Sequence, residues 1–92
     1  MTYLRVRWIH TLPSEPVEIY SELDGDRWEK RKVEIFADGS LAWADATTTH
    51  GDTRVAEEAL PTNEEIASDP QFAPVEISEE EFEKLWKQAL AA

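Results

Sequence analysis

Residues 31–45 read RKVEIFADGSLAWAD, and this stretch decides the fold. On both sides of Asp38-Gly39, apolar residues alternate with polar ones, the pattern of a strand buried on one face. Glycine takes the positive φ of a type I′ turn at no steric cost, so the pair predicts a hairpin. The two predicted strands lie within 28–37 and 40–45, with these side chains facing inward: Val33, Ile35, Leu41 and Trp43.

Two further strands are predicted upstream of the hairpin, because residues 4–8 and 17–23 show the same alternation. A loop with two prolines separates them, and Asp24-Gly25-Asp26 supplies the next turn. The alternation is less regular near Trp28, which predicts a bulge or a late strand start. With a short edge strand at 53–56, the sheet is predicted to be an antiparallel β-meander of four to five strands.

The second half of the chain predicts two helices. Capping boxes at 62–65 and 78–81 mark their starts, and the first, short helix is expected to stop before Pro70. The second carries one apolar stripe, formed by Phe82, Leu85, Trp86, Ala89 and Leu90. We expect this C-terminal helix to cover one face of the sheet, over Val6, Trp8, Ile19, Val33, Ile35 and Trp43. The sequence thus predicts a single α+β domain over residues 1–92.

Charge is the strongest signal about partners. Twenty acidic and nine basic side chains give a net charge of −11. Residues 1–46 hold nine acids and six bases, whereas residues 47–92 hold eleven acids and three bases. Such a field repels nucleic acid and anionic membranes and attracts a basic protein partner, although acidity also simply keeps a small protein in solution. The N-terminus lacks the apolar run of a signal peptide, so a cytoplasmic location is expected.

Little in the sequence indicates catalysis. The absence of cysteine removes disulfides and thiolate chemistry, and His10 and His50 stand in loop-like sequence without companion ligands for a metal. Asp24-Gly25-Asp26 resembles the start of a calcium loop, but its glycine comes too early. The adjacent glutamates lie on segments that read as solvated. We therefore expect no enzymatic activity, no metal and no cofactor.

The basic residues of the strands allow two interpretations. Arg5 and Arg7, with the cluster at 27–32, could form an RNA-binding sheet in which Trp28 stacks on bases. Alternatively, Arg5 and Arg7 pair across strands with Glu18 and Glu22, and these glutamates pair in turn with the lysines of the third strand. The second interpretation accounts for the basic residues without any ligand.

One surface stands out as a candidate for partner binding. The outer face of the second strand combines negative charge with an aromatic ring, as interface hot spots tend to do. Trp28 is surrounded by charge in the sequence, and it either contacts a partner or covers an open end of the core. The rival surface is the acid-rich segment 52–65, which has fewer aromatics. The predicted partner-binding residues are Glu18, Tyr20, Glu22, Asp24, Asp26 and Trp28.

The chain also resembles a family of small bacterial proteins of unknown function. The resemblance is carried by Trp8-Ile9-His10, residues 16–24, Arg31 to Phe36 with Asp38-Gly39, and Glu65-Ile66, Asp69-Pro70 and Glu81-Phe82. The size and acidity are similar to those of immunity proteins, which neutralise a cognate toxin. The resulting expectation is an immunity-type inhibitor that occludes a basic surface of a toxin or a nucleic-acid-acting enzyme. The alternatives are a non-inhibitory adaptor or regulatory domain in a bacterial multiprotein assembly and, in third place, a small enzyme.

Overall fold

Six antiparallel strands form one sheet in the computed structural model, which describes all residues from 1 to 92. The strand order is β5-β4-β3-β2-β1-β6. The strands are β1 (Thr2–Trp8), β2 (Glu18–Leu23), β3 (Glu29–Ile35), β4 (Leu41–Asp45), β5 (Thr49–His50) and β6 (Phe72–Ile77). The helices are α1 (Asn63–Ala67) and α2 (Glu79–Ala91), neither of which is long and apolar enough to cross a membrane.

The predicted α+β class is confirmed, but the strand count is not. The sequence predicted at most five strands, and β6 was missed because Pro74 interrupts its alternation. A proline is tolerated there because β6 lies at the edge of the sheet and pairs only with β1. The edge strand predicted at 53–56 is also wrong, since the strand next to β4 is the two-residue β5.

The β3–β4 hairpin forms where the sequence places it, with a different turn. The Phe36 amide donates to Ser40 O and the Gly39 amide donates to Phe36 O, which leaves three residues in the loop. Gly39 has a φ of 88°, while Asp38 keeps a negative φ, so this is not the predicted type I′ turn. It is a three-residue loop with glycine in the left-handed region.

Helix α2 covers a sheet face built from Tyr3, Tyr20, Val33, Ile35 and Trp43, into which Phe82 and Trp86 pack. The expectation that Val6, Trp8 and Ile19 would share this face is wrong, because Tyr20 and not Ile19 stands opposite Val33. The sequence does not distinguish the two faces, because consecutive residues of a strand are both apolar in two places. Tyr3 is followed by Leu4, and Ile19 is followed by Tyr20. A one-residue change of register exchanges the two faces.

The second face of the sheet is also covered. Leu4, Val6 and Leu23 form a smaller buried cluster, against which Leu60, Ile66 and Phe72 pack. The chain between β5 and β6, which contains α1, therefore forms a third layer. Both faces of the central strands are occupied, so exposed side chains lie in the turns, in this third layer, on β6 and on the outer side of α2.

Trp86 is expected to carry much of the packing of α2, since it is 8% exposed and contacts Trp43 edge-on at 5.4 Å between ring centroids. Trp86→Ala should lower the free energy of unfolding by about 3 to 5 kcal/mol, measured by urea denaturation. Leu90→Ala, on the same helix but 51% exposed, is the matched control and should change it by less than about 0.5 kcal/mol. Equal effects of the two substitutions would show that α2 does not pack as described.

Candidate functional site

The β2 side chains predicted to form an exposed outer face lie on the face that α2 covers. Tyr20 is 9% and Glu22 is 7% exposed. Arg31 Nη2 donates to Glu22 Oε2 at 2.7 Å and also binds Glu83 of α2. The Arg31 guanidinium lies over the Phe82 ring, 5.0 Å from its centroid. The prediction that Tyr20 and Glu22 are exposed is therefore wrong, and Glu22 joins the sheet to the helix.

This packing shifts the pKa values of Glu22 and Tyr3. The hydrogen bonds from Arg31 lower the pKa of Glu22, and the Tyr3 hydroxyl adds to the effect. That hydroxyl lies 3.0 Å from Glu22 Oε2 and 3.1 Å from Glu79 Oε2. Burial, together with these two carboxylates, raises the pKa of Tyr3 to about 12. A negative charge on Glu22 is thus favoured in the folded protein, and one on Tyr3 is disfavoured.

The four remaining predicted partner-binding residues differ in whether their side chains are bonded within the fold. Glu18 lies 3.9 Å from Arg5 Nε, and Asp24 accepts hydrogen bonds from the amides of Asp26 and Trp28, so both carboxylates serve the fold. Asp24 is further engaged by Lys30 at 3.5 Å. Asp26 is exposed and Trp28 is 43% exposed. Asp26 and Trp28 are thus the exposed members of the predicted set, whereas Glu18 and Asp24 are half-buried.

Cross-strand charge pairing does occur, with some partners other than those predicted. Arg5 pairs with Glu18 as expected, but Glu22 pairs with Arg31 and not with a lysine of β3. Lys32 instead lies 3.4 Å from Glu29 on the opposite face of the sheet. The basic residues of the strands are thus mostly occupied within the fold.

Arg27 joins the β2–β3 turn to the chain before α1, a role that the sequence did not reveal. Its guanidinium donates to Leu60 O, to Pro61 O and to Asn63 Oδ1 at distances from 2.6 to 3.2 Å. The Leu60 amide donates back to Arg27 O at 2.9 Å. Arg27 has a φ of 66°, unusual for a side chain of this size, and these contacts hold it there.

This connection brings the acidic segment, residues 52–65, to the turn that carries Asp26 and Trp28. The acidic segment contains five carboxylates and one base, Arg54. All five carboxylate residues are exposed: Asp52, Glu57, Glu58, Glu64 and Glu65. The residues that combine exposure, negative charge and an aromatic ring are therefore those of the rival surface and the turn, not those of β2.

A buried polar cluster, which was not predicted from the sequence, lies beneath the acidic segment. Glu29 is 5% exposed and accepts hydrogen bonds from Ser21 Oγ at 2.5 Å and from the Ala56 amide at 2.8 Å. The register of β3 shifts by one residue before Arg31, which turns Glu29 to the second face. A bulge near Trp28 was predicted and is confirmed, but its consequence for Glu29 was not foreseen.

The two histidines lie apart. His10 Nε2 donates to Pro16 O at 2.7 Å, while its Nδ1 accepts from the Leu12 amide, so His10 orders the β1–β2 loop. His50 stacks on Trp43 at the far edge of the sheet. No group of three or more His, Cys, Asp or Glu side chains is arranged to hold a metal ion.

Comparison with known proteins gives a family and no activity. The family model described as "Domain of unknown function (DUF6881)" matches residues 2–91. No curated protein and no solved structure matches the chain.

The lowered pKa of Glu22 makes stability depend on pH. Because the folded pKa lies below the unfolded value of about 4.3, the stabilisation is full above that value and is lost as pH falls through the folded pKa. Glu22→Gln should lower stability at neutral pH and flatten its decline below about pH 4.3, in denaturant titrations across that range. Glu80→Gln, an exposed control, should keep the wild-type slope; an unchanged slope in Glu22→Gln would contradict the assignment.

Arg27→Gly tests the connection between the turn and the acidic segment. Glycine accepts the positive φ, so the turn should persist, while the guanidinium contacts to the segment are lost. The Leu60 amide should then exchange with deuterium at least about tenfold faster. The amides of Tyr20 and Val33 in the central sheet should be unaffected. Unchanged exchange at Leu60 would mean that Arg27 does not fix the segment.

Proposed function

The chain belongs to the domain-of-unknown-function family DUF6881, and we propose that it acts as a protein-binding domain for a basic protein partner. More specifically, we propose an immunity-type inhibitor that occludes a basic surface of a toxin or of another nucleic-acid-acting enzyme. The observation that carries the proposal is the fixed proximity of the acidic segment to the turn bearing Trp28, through the hydrogen bonds of Arg27.

The proposal follows from how interfaces use charge and aromatic rings. A net charge of −11 attracts a basic surface from a distance and speeds encounter, up to about 10⁸ to 10⁹ M⁻¹s⁻¹ at low salt. An exposed tryptophan then supplies contact area once the surfaces have docked. Arg27 restrains the segment before binding, which reduces the entropy lost on association. Nucleic-acid-acting enzymes offer the complementary surface, because they bind phosphates with lysine and arginine.

The partner can be found by using the immobilised domain to capture proteins from the source cell, with identification by mass spectrometry. The captured partner's own activity is then assayed with and without the domain. Stoichiometric loss of activity supports inhibition, whereas full activity in the complex favours the adaptor alternative. Capture of nucleic acid or of an acidic protein alone would contradict the proposal.

The rates of binding should separate the two parts of the surface. Glu57→Lys/Glu58→Lys should slow association at low salt by at least about tenfold. Glu15→Lys/Glu80→Lys changes the net charge equally at other places in the fold and should slow it much less. Trp28→Ala should act mainly on dissociation, by about tenfold or more, with an unchanged melting temperature. Equal slowing by the two charge-reversed variants, or wild-type dissociation of Trp28→Ala, would exclude this surface.

A further inference from the structure

A cavity of about 430 Å³ lies between the second face of the sheet and the layer that contains α1. This volume falls within the range of about 300 to 1,000 Å³ in which proteins bind small ligands. Its apolar walls come from both layers, and they are formed chiefly by Val6, Ile19, Leu60, Ile66 and Phe72. Packing between the layers is thus incomplete at this point, and apolar surface remains accessible to a ligand.

The polar side chains of the cavity differ in whether they are free to bind. Glu29 is satisfied by Ser21 Oγ, the Ala56 amide and Lys32. Lys32 Nζ also donates to Arg54 O at 3.0 Å, so its charge is held between the carboxylate and the backbone. The charges of Glu29 and Lys32 thus neutralise each other, and the pair leaves no free cation to bind an anionic ligand.

The rim of the cavity is different, because it carries two carboxylates, the exposed Glu65 of α1 and the half-buried Asp69 of the turn that follows it. Glu65 Oε1 accepts from the Thr62 amide and hydroxyl in the capping box, and Asp69 Oδ1 accepts from the Gln71 amide. The second oxygen of each carboxylate has no hydrogen-bond partner in the chain. Three carboxylates and one ammonium line the cavity in total, so its potential favours a cation.

We propose that this cavity is a binding site for a small protonated amine that carries an apolar group. The apolar group lies against the walls from the sheet and α1, and the ammonium group lies at the rim between Glu65 and Asp69. A carboxylate or phosphate ligand would meet two like charges there, those of Glu65 and Asp69. The inference rests on the cavity and not on the partner proposed above, although Glu65 belongs to both the acidic segment and the rim.

Hexylammonium, hexanol and hexanoate test the proposal as ligands of the same length and different charge. Each is titrated into the isotope-labelled full chain while amide chemical shifts are recorded by NMR. Hexylammonium should bind at least about fivefold more tightly than hexanol, since it adds contacts with two carboxylates, and hexanoate should bind least. The shifted amides should be those of residues lining the cavity. Equal binding of hexylammonium and hexanol, or shifts elsewhere in the chain, would overturn the proposal.

Two variants separate the charged rim from the apolar wall. Glu65→Gln/Asp69→Asn keeps the hydrogen-bond acceptors of the capping box and the turn but removes both charges, so hexylammonium affinity should fall to that of hexanol. Ile66→Ala should weaken both ligands by a similar factor, whereas Leu90→Ala, an exposed apolar residue outside the cavity, should weaken neither. A double variant that still prefers hexylammonium would overturn the placement of the ammonium group.

Discussion

The arrangement of this domain depends on the Arg31 guanidinium, which joins β2, β3 and α2. It is bonded to Glu22 and Glu83 and lies over two aromatic rings of the helix, Phe82 and Trp86. Removing one partner of the Glu22–Arg31 pair leaves a charge with poor access to water, which destabilises the fold. The contact therefore fixes where the helix crosses the sheet and which strand residues it covers.

Covering the first face in this way has a direct consequence for function. Once Tyr20 and Glu22 are used to bind α2, the central strand has no exposed acidic face to offer a partner. The opposite face is covered by Leu60, Ile66 and Phe72. Exposed negative charge is consequently found at the periphery, on the first turn of α2 and on the acidic segment, which lies beside the β2–β3 turn. The same layer also bounds the cavity, so one stretch of chain contributes to both proposed sites.

Two local irregularities make these sites possible. The register shift in β3 moves Glu29 from the helix side to the second face, where Ser21 and the Ala56 amide satisfy its carboxylate. The positive φ of Arg27 lets its backbone carbonyl accept a hydrogen bond from the Leu60 amide while its guanidinium donates to Leu60 O. In both cases a departure from regular strand geometry connects the sheet to the layer above it.

The sequence by itself determined the class of the fold, the positions of four strands, and the starts of both helices. These features arise from interactions between residues close in the chain: period-two alternation, the turn at Gly39, the reciprocal capping of Thr62 and Glu65, and the Ser78 cap. The charge of −11 and the absence of cysteine also needed no structure. The bulge near Trp28 was predicted for the same reason, since it disturbs a local period.

Only the tertiary structure decided which face of β2 is covered, that a sixth strand exists, and that the acidic segment meets the turn at Trp28. The face was undetermined because Ile19 and Tyr20 both have large apolar surfaces, and only pairing with Val33 on β3 selects Tyr20 for the side of α2. Strand β6 forms because β1 offers it a free edge. The contacts of Arg27 join residues more than thirty positions apart, and no local period or spacing in the sequence encodes such contacts.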